Sequence, residues 1–414
     1  MADFELAGRR ALVTGATGFI GGRLAEALVT RHGVRVRALV RNFTKAPRLA
    51  RYAVELQGGD AAREADVQRA AAGCDVIFHC AYGNRGSRDE QRRGTLESTR
   101  YLLEAAAANG ARLINVSTVA VYGATADGDL AETSPRPGGG DVYSDSKLEA
   151  EGLCRQYARE RGVFATSLQP AVVYGPFGPA WTLRILNDLA RWRVILVDGG
   201  AGLCNAVYVD DVVQALLLAA RREGASGEEF LIAAAEPVTW KEFYGRHAAL
   251  LGIESTVSLS YEEALERFAA AHRKRGLVGN SIEFLRTDEF RWRLGHTLES
   301  SGLVRAAINA TPDPVKRGVK RLMLGGRSGP DALAAPAAPA GPGRADKPIQ
   351  LLPEGALAML RAKTRVRIDK ARDVLGYEPR YDFARGFART AAWARWAGLA
   401  PAAAQATEPE ELRR

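Results

Sequence analysis

An α/β fold, built on a doubly wound parallel sheet with a smaller and mainly helical C-terminal lobe, is predicted by three observations. Short apolar runs alternate with helix-period stretches at short intervals through the first third of the 414-residue chain. The first run closes on glycine and opens directly into a helix, with three glycines at even spacing across the junction. Beyond about Trp240 the alternation fades, and helical stretches follow one another without intervening strands.

The elements follow in order. "RALVTG" (Arg10 to Gly15) is a first strand, and in "FIGGRLAEALVTRHG" Ile20, Leu24 and Leu28 recur every four residues up to the helix stop at Gly33. "VRVRALVRN" (Val34 to Asn42) is a second strand, "DVIFHCA" (Asp75 to Ala81) a later one, and "LESTRYLLEAAAANG" a helix ending at Gly110. "RLINVSTVAVYG", "FATSLQPAVVYGP" (Phe164 to Pro176) and "EFLIAA" (Glu229 to Ala234) supply further strands. "VDDVVQALLLAARREG" reads as a helix capped by Asp210 or Asp211. "WKEFYGRHAALLG" and "YEEALERFAAAHRKRG" are helical, whereas the Ala/Pro/Gly tract from Ser328 to Gly343 has too few large apolar groups to pack and reads as a linker. Order returns with "RVRIDKARDVLGYEPRYDFARGFARTAAWARWAG".

Composition bounds the function. With 47% hydrophobic residues the chain is of ordinary globular type, and no apolar run approaches the roughly 20 residues needed to span a bilayer. A cytoplasmic protein without an integral membrane segment is expected. The four cysteines show no CxxC spacing and the five histidines no ligand pair, so neither a disulfide framework nor a metal site is indicated. The net charge of +9 favours anionic ligands. Its densest pieces, "HRKRG" (His272 to Gly276) and "VKRGVKR" (Val315 to Arg321), read as solvated faces, with a membrane-headgroup contact as the alternative. No nucleic-acid partner is expected.

Two motifs carry chemistry. In "TGATGFIGG", Gly15, Gly18 and Gly21 stand in GxxGxxG spacing after the first strand, where glycine permits the tight turn and lets backbone N–H groups approach a pyrophosphate. That placement points to dinucleotide binding. In "VYSDSKLEA" (Val142 to Ala150), Tyr143 and Lys147 lie four apart, on one face of a helix, so that phenol and ammonium can reach a shared point.

"TGATGFIGG", "STVAVYG", "YSDSK", "VVYGP" and "YVDDV", in this order, resemble the extended short-chain dehydrogenase/reductase family, which contains nucleotide-sugar epimerases, dehydratases and 4-ketoreductases. The resemblance covers about residues 8 to 250 and returns at about 365 to 396 in "RIDKARDVLGYEP". It implies a Rossmann-type domain and gives Tyr143 the part of general acid/base while hydride passes to or from C4 of a nicotinamide. A free phenol has a pKa near 10, so positive charge from Lys147 and an oxidised nicotinamide would be needed for it to act as a base near neutrality. Lys147 would also hold the nicotinamide ribose, and Thr118 would hydrogen-bond the reacting oxygen. For the cofactor, the resemblance implies Gly15, Thr17, Gly18, Phe19, Ile20 and Gly21 at the turn. It adds Asp60 near the adenine, Cys80 and Ala81 beside the adenosine, and Ser117, Pro170 and Val173 towards the nicotinamide.

Three departures from the family pattern stand out. Thr118 is followed by Val119 and Ala120 rather than the Asp and Glu that perform elimination in the dehydratases, so water loss is disfavoured. Thr95 and Ser98 replace the usual asparagine and glycine, which puts the local helix bend and its polar contacts in question. Gln169 stands where arginine is common, a change expected to be unimportant. At the end of the second strand Arg41, followed by Asn42 and Lys45, suits a 2′-phosphate, so NADP(H) is favoured, with NAD(H) as the alternative.

The expected organisation is an NAD(P)-binding domain over 1–175, rejoined by 206–235. A substrate lobe would be built from 176–205 and 236–327, enlarged by an unusual insertion between about 255 and 350. A linker would cover 328–348, and a closing segment 349–400. The expected activity is NAD(P)-dependent redox chemistry at a carbinol or ketone of a nucleotide-activated sugar, leaning to an NADPH-dependent ketoreductase and acting as a homodimer. An NAD-retaining 4-epimerase, a reductase of a non-sugar alcohol or ketone such as a sterol-like substrate, and an idle dinucleotide sensor remain the alternatives. Arg184, Asn205 and Tyr208 are candidate substrate contacts by position. "FRWRLGH" (Phe290 to His296) reads as an amphipathic packing segment, with base stacking as the alternative.

Overall fold

Fifteen strands can be followed along the described residues. The first eight are β1 (Arg10–Thr14), β2 (Arg35–Val40), β3 (Val54–Gly58), β4 (Val76–His79), β5 (Arg112–Val116), β6 (Gly128–Leu130), β7 (Ala165–Pro170) and β8 (Val172–Tyr174). The rest are β9 (Val194–Val197), β10 (Leu203–Cys204), β11 (Ala206–Tyr208), β12 (Glu229–Ile232), β13 (Val238–Thr239), β14 (Thr256–Leu259) and β15 (Thr364–Val366). The computed structural model describes residues 4–84, 86–271 and 347–402. A second compact unit, Glu266–Pro342, falls outside them except for 266–271. The expected linker up to residue 346, "FRWRLGH" and both dense basic pieces likewise lie outside the described residues.

Seven strands form one parallel sheet in the order β12-β7-β5-β4-β1-β2-β3. After β3 the chain crosses back to the far side of β1, so the strand order reverses between β1 and β4. At such a reversal the loops leaving the carboxyl ends of the strands part and open a crevice.

Residues along the central strands alternate between two cores, as the period of a strand requires. Ala11, Val13, Phe78 and Ile114 pack in one cluster with Leu24 and Leu28 of α1 (Phe19–His32). Leu12, Ile77 and Leu113 pack in another with Val67 of α2 (Glu64–Ala71) and Leu102 of α3 (Arg88–Asn109), joined by Cys154 of α4 (Val142–Arg161). Both faces of the sheet are therefore covered, which is why its strands read as continuous apolar runs.

A third core lies outside the sheet. It is fed by α5 (Arg184–Arg191), by Val209 at the start of α6 (Val209–Arg221), by α7 (Trp240–Leu251), α8 (Glu354–Arg361) and α9 (Phe383–Trp396), and by β8, β9 and β11. Trp240, Phe243, Phe383 and Phe387 are its large rings, each less than a tenth exposed. Burying a side chain of this size contributes roughly 1.5–3 kcal/mol.

Several local expectations are corrected. The run from Phe164 to Pro176 is two strands, because the ladder breaks at Pro170 and β8 pairs with β11 outside the main sheet. "RLINVSTVAVYG" is a strand only to Val116, since the Thr118 side chain accepts from Ala120 N at 3.2 Å and caps a 3₁₀ turn over Val119–Tyr122. Neither Asp210 nor Asp211 caps α6, which starts at Val209 with Tyr208 as its cap residue. Both carboxylates serve tertiary contacts: Asp210 pairs with Arg23, and Asp211 accepts Arg380 N and Tyr381 N at 2.9 and 3.1 Å. The short β3 and α2 were not predicted.

Candidate active site

The glycine turn is fixed by sterics. Gly15 has a φ of +67°, and a Cβ there would lie 2.7 Å from the carbonyl carbon and oxygen of Cys80. A Cβ on Gly21 would run into the Gly15 carbonyl oxygen, and Gly18 N donates to that same oxygen at 2.9 Å. Gly18 is the cap residue of α1, where no side chain takes the helix's first N–H groups and no acidic residue stands in the first turn. The turn thus offers a helix N-terminus to an anion.

Beside it, at the carboxyl ends of β1 to β4, a cavity of about 340 Å³ is lined by Gly15, Thr17, Arg41, Asp60, Ala81 and Tyr82, among others. Asn42 and Lys45 border it too, and no carboxylate follows β2 directly. Arg41 is exposed, with its guanidinium 3.4 Å from Asn84 Oδ1. Asp60 is held in a turn, its amide donating to Asp66 Oδ2 at 2.9 Å and its own Oδ1 accepting Ala62 N at 3.1 Å. A glycine cradle that a Cβ would fill, an open helix N-terminus and a cavity ending in cationic side chains together fit a dinucleotide.

The other expected cofactor residues sit around this cradle rather than in the cavity wall. The Phe19 ring turns towards Gly178, whose Cβ would meet its Cζ at 3.2 Å, and Ile20 packs against the cores. Only their backbone N–H groups are left to serve a phosphate. Cys80 is partly buried, with its thiol pushed up to about 12 by burial. Ser117 is buried at the end of β5, its amide donating to Leu168 O at 2.7 Å. Pro170 ends β7 and Val173 lies in β8.

The structure brings Thr118 and Tyr143 together. Asp141 caps α4 by accepting Tyr143 N and Ser144 N at 2.9 and 3.1 Å, which fixes Tyr143 in the helix's first turn. Tyr143 is 38% exposed, but burial around its hydroxyl pushes the phenol up to about 12, opposed by the Thr118 hydroxyl beside it. At neutral pH this phenol carries its proton.

Lys147 shares that helix face, yet its ammonium is directed elsewhere. It is 3% exposed and donates to Val116 O at 2.7 Å. Burial lowers its pKa to about 8, opposed by the neighbouring Cys80, Cys154 and Glu151. A buried ammonium needs an acceptor, and the end of β5 supplies one.

Tyr82 was missed from the sequence. Its ring lies edge-on to that of Tyr143, with centroids 5.2 Å apart, and 5.8 Å from Lys147 Nζ, while also lining the cavity. It joins the cavity to Tyr143 and Lys147, and only its place just beyond β4 could have pointed to it.

Two polar networks answer the family departures. His79 is fully buried, with Nδ1 2.8 Å from Thr14 Oγ1 and Nε2 3.4 and 3.3 Å from the hydroxyls of Ser98 and Thr99. Burial and then Lys147 push it down to about 3, so it is neutral. Thr95 accepts Gly83 N at 2.9 Å and donates to Gln91 O at 3.1 Å. The polar contacts of this helix segment are thereby kept without the asparagine. Gln169 is equally occupied: Tyr122 donates to its Oε1 at 3.0 Å, and its Nε2 donates to the buried Glu151 at 2.9 Å. The positive charge comes from Arg136 instead, 3.1 Å from Glu151 Oε2. The glutamine thus couples the turn that follows Thr118 to the helix carrying Tyr143, a structural place of the kind expected for this position.

Two of the candidate substrate contacts are spent inside the protein: Asn205 donates to Thr364 O at 2.8 Å and accepts Val366 N at 2.9 Å, and Tyr208 is 4% exposed. Arg184 is exposed, over the Trp181 ring.

Residues 11–233 match the NAD dependent epimerase/dehydratase family. Among curated relatives, the 4-hydroxy-2-methyl-3-oxo-4-farnesyl-3,4-dihydroquinoline-1-oxide ketoreductase of Stigmatella aurantiaca is 32% identical over 64% of this chain and 79% of its own length. The 2-alkyl-3-oxoalkanoate reductase of Stenotrophomonas maltophilia is 30% identical over 58% and 75%. Among solved structures, the dTDP-glucose 4,6-dehydratase DesIV of Streptomyces venezuelae, with NAD bound, superposes with a TM-score of 0.61 at 20% identity, covering 94% of this chain and 97% of that one. That likeness establishes the shared fold. The chain belongs to the NAD dependent epimerase/dehydratase family and is an oxidoreductase of that group.

Proposed function

We propose that this protein is an NADPH-dependent ketoreductase acting on an apolar ketone. The observation that carries the reading is the protonated Tyr143 phenol, held at the start of α4 beside the Thr118 hydroxyl and the Tyr82 ring, which is the acid form a carbonyl reduction needs. When bound, the cofactor supplies the hydride that adds to the carbonyl carbon. Tyr143 gives its proton to the carbonyl oxygen, so the ketone becomes a secondary alcohol. Thr118 holds that oxygen in place, and Lys147, one turn along the same helix with its ammonium on Val116 O, adds positive charge to the region as the phenol becomes a phenolate.

Arg41, Asn42 and Lys45 would hold a 2′-phosphate, which supports NADPH over NADH. For the substrate, both curated relatives named above are reductases of ketones carrying farnesyl or alkyl chains. The nucleotide-sugar expectation has less support, because Asn205 and Tyr208 are spent inside the protein.

The test is NADPH consumption by the purified protein with a panel of 2-alkyl-3-oxo acids, steroid ketones and prenylated cyclic ketones, beside a panel of nucleotide sugars. Turnover of a ketone is expected, with Tyr143→Phe losing about 10²- to 10⁴-fold in rate. Conversion of a nucleotide sugar without net NADPH consumption would instead mean an epimerase.

A further inference from the structure

We propose that the outward face of α9 docks this protein onto a membrane surface bearing anionic lipids. The helix buries Phe383, Phe387, Ala391 and Ala394 in the third core. Its other side presents Arg385, Arg389, Arg395 and Trp396, spaced by the exposed alanines 384, 388 and 392. There is no carboxylate along the helix, and among the described residues none lies within ion-pair range of the three arginines. The nearby acids are committed: Asp382 caps the helix by accepting Arg385 N at 2.7 Å, and Glu378 pairs with Arg372. Arg385 and Arg389 lie against the Tyr381 ring, and Arg385 donates to Arg380 O at 3.0 Å, which fixes the base of the cationic row.

Aromatic side chains continue this face. Trp396 is 79% exposed, more than any other large hydrophobic side chain among the described residues. One turn back, the Trp393 ring is 4.9 Å from Phe177, which is itself 45% exposed and sits at a φ of +67°. Such a backbone conformation is disfavoured for a bulky residue, so an outward-facing phenylalanine held there against solvent asks for an apolar partner. Arg48 lies 4.7 Å over the same ring, its charge answered by Glu26 at 3.0 Å.

The combination selects the partner. A row of arginines without acids complements an anionic surface, and exposed tryptophan and phenylalanine beside it suit the headgroup level, where one end of the ring is wet and the other apolar. Small alanines between the arginines leave nothing to hold the guanidinium groups off a flat surface. Nucleic acid would use the arginines but leave Trp396 and Phe177 without a role. The inference does not rest on which ketone is reduced.

Co-sedimentation of the full chain with phosphatidylcholine vesicles, with and without phosphatidylglycerol, tests it. Binding should require phosphatidylglycerol and weaken with salt. Each arginine near such a surface strengthens partitioning about fivefold, so Arg385→Ala/Arg389→Ala/Arg395→Ala should lose about a hundredfold while cofactor affinity stays unchanged. Trp396→Ala alone should weaken vesicle binding and diminish the shift in tryptophan emission on vesicle addition, which keeps the test open should the triple variant fold poorly. Equal binding to both vesicle types, unchanged binding of both variants, or tighter binding to duplex DNA than to the anionic vesicles would overturn the proposal.

Discussion

Raising the pH through the titration of Lys147 should move activity and stability in opposite directions. The ammonium is 3% exposed, and burial lowers its pKa from 10.5 to about 8. Below pH 8 the folded and unfolded chains both hold the proton, and the folded chain bears the desolvation cost. Between about 8 and 10.5 the unfolded chain holds a proton that the folded chain has released, so this group's contribution to stability rises with pH across that window. A gap of about 2.5 units corresponds to about 3 kcal/mol, undiscounted because the group is buried. Reduction should do the reverse, since a neutral amine no longer supports charge on the phenol, and kcat/KM should fall above pH 8. Urea melts of the wild type and of Lys147→Met across this range, paired with initial rates, read both effects. Tyrosine ionisation near the upper end acts on both proteins and cancels in the difference. Lys147→Met should lack the stability rise. A wild-type-minus-variant stability difference that stays flat through the window, or a reduction rate indifferent to it, would refute the reasoning.

Two other outcomes are expected. Arg41→Asp sets a carboxylate against a 2′-phosphate. A hydrogen bond to a charged group contributes on the order of 1.5–3 kcal/mol, so NADPH affinity should drop about ten- to a hundredfold while NADH affinity holds, read by fluorescence titration of both; an unchanged ratio would make Arg41 a bystander. His79 is held neutral down to about pH 3, against 6.5 when unfolded, so the unfolded chain binds the extra proton between these values. Stability should therefore be lost as pH falls from 6.5 towards 3, by up to about 5 kcal/mol, and denaturant melts of His79→Gln should show a shallower acid dependence.

The parts of the site that could be read from the sequence are those set by local chemistry. The Gly15–Gly18–Gly21 turn depends on close backbone approach within a few residues, and Tyr143 and Lys147 share a helix face because four residues make about one turn. Where each polar tip points depends on partners far along the chain. Lys147 found Val116 O and Tyr143 found Thr118, whereas a shared point had been expected. Tyr82 meets Tyr143 across 61 positions, and no periodicity carries that contact. The capping role given to Asp210 and Asp211 failed for a related reason: an acid at a helix start can serve its own N–H groups or a distant arginine and loop, and only the folded chain shows which. Pro170 was a visible break in a run read as one strand, and Gln169 became informative only once Tyr122, Glu151 and Arg136 were seen around it.

The pairing of β6 with β15 bears on the order in which the protein assembles. Gly128–Leu130 takes its ladder partners from Thr364–Val366, and the tie is thickened by Thr125 to Thr364 at 2.7 Å and by Asp127 to Lys363 N at 2.7 Å. The stretch immediately after β6 leads into α4 and Tyr143. During synthesis that approach to Tyr143 is made early, but its tether emerges more than two hundred residues later, after the whole parallel sheet has left the ribosome. Contacts of such long sequence separation form late and slowly. A nascent chain can therefore hold the finished glycine turn and parallel sheet while the stretch leading into α4 still waits for its tether from the closing segment.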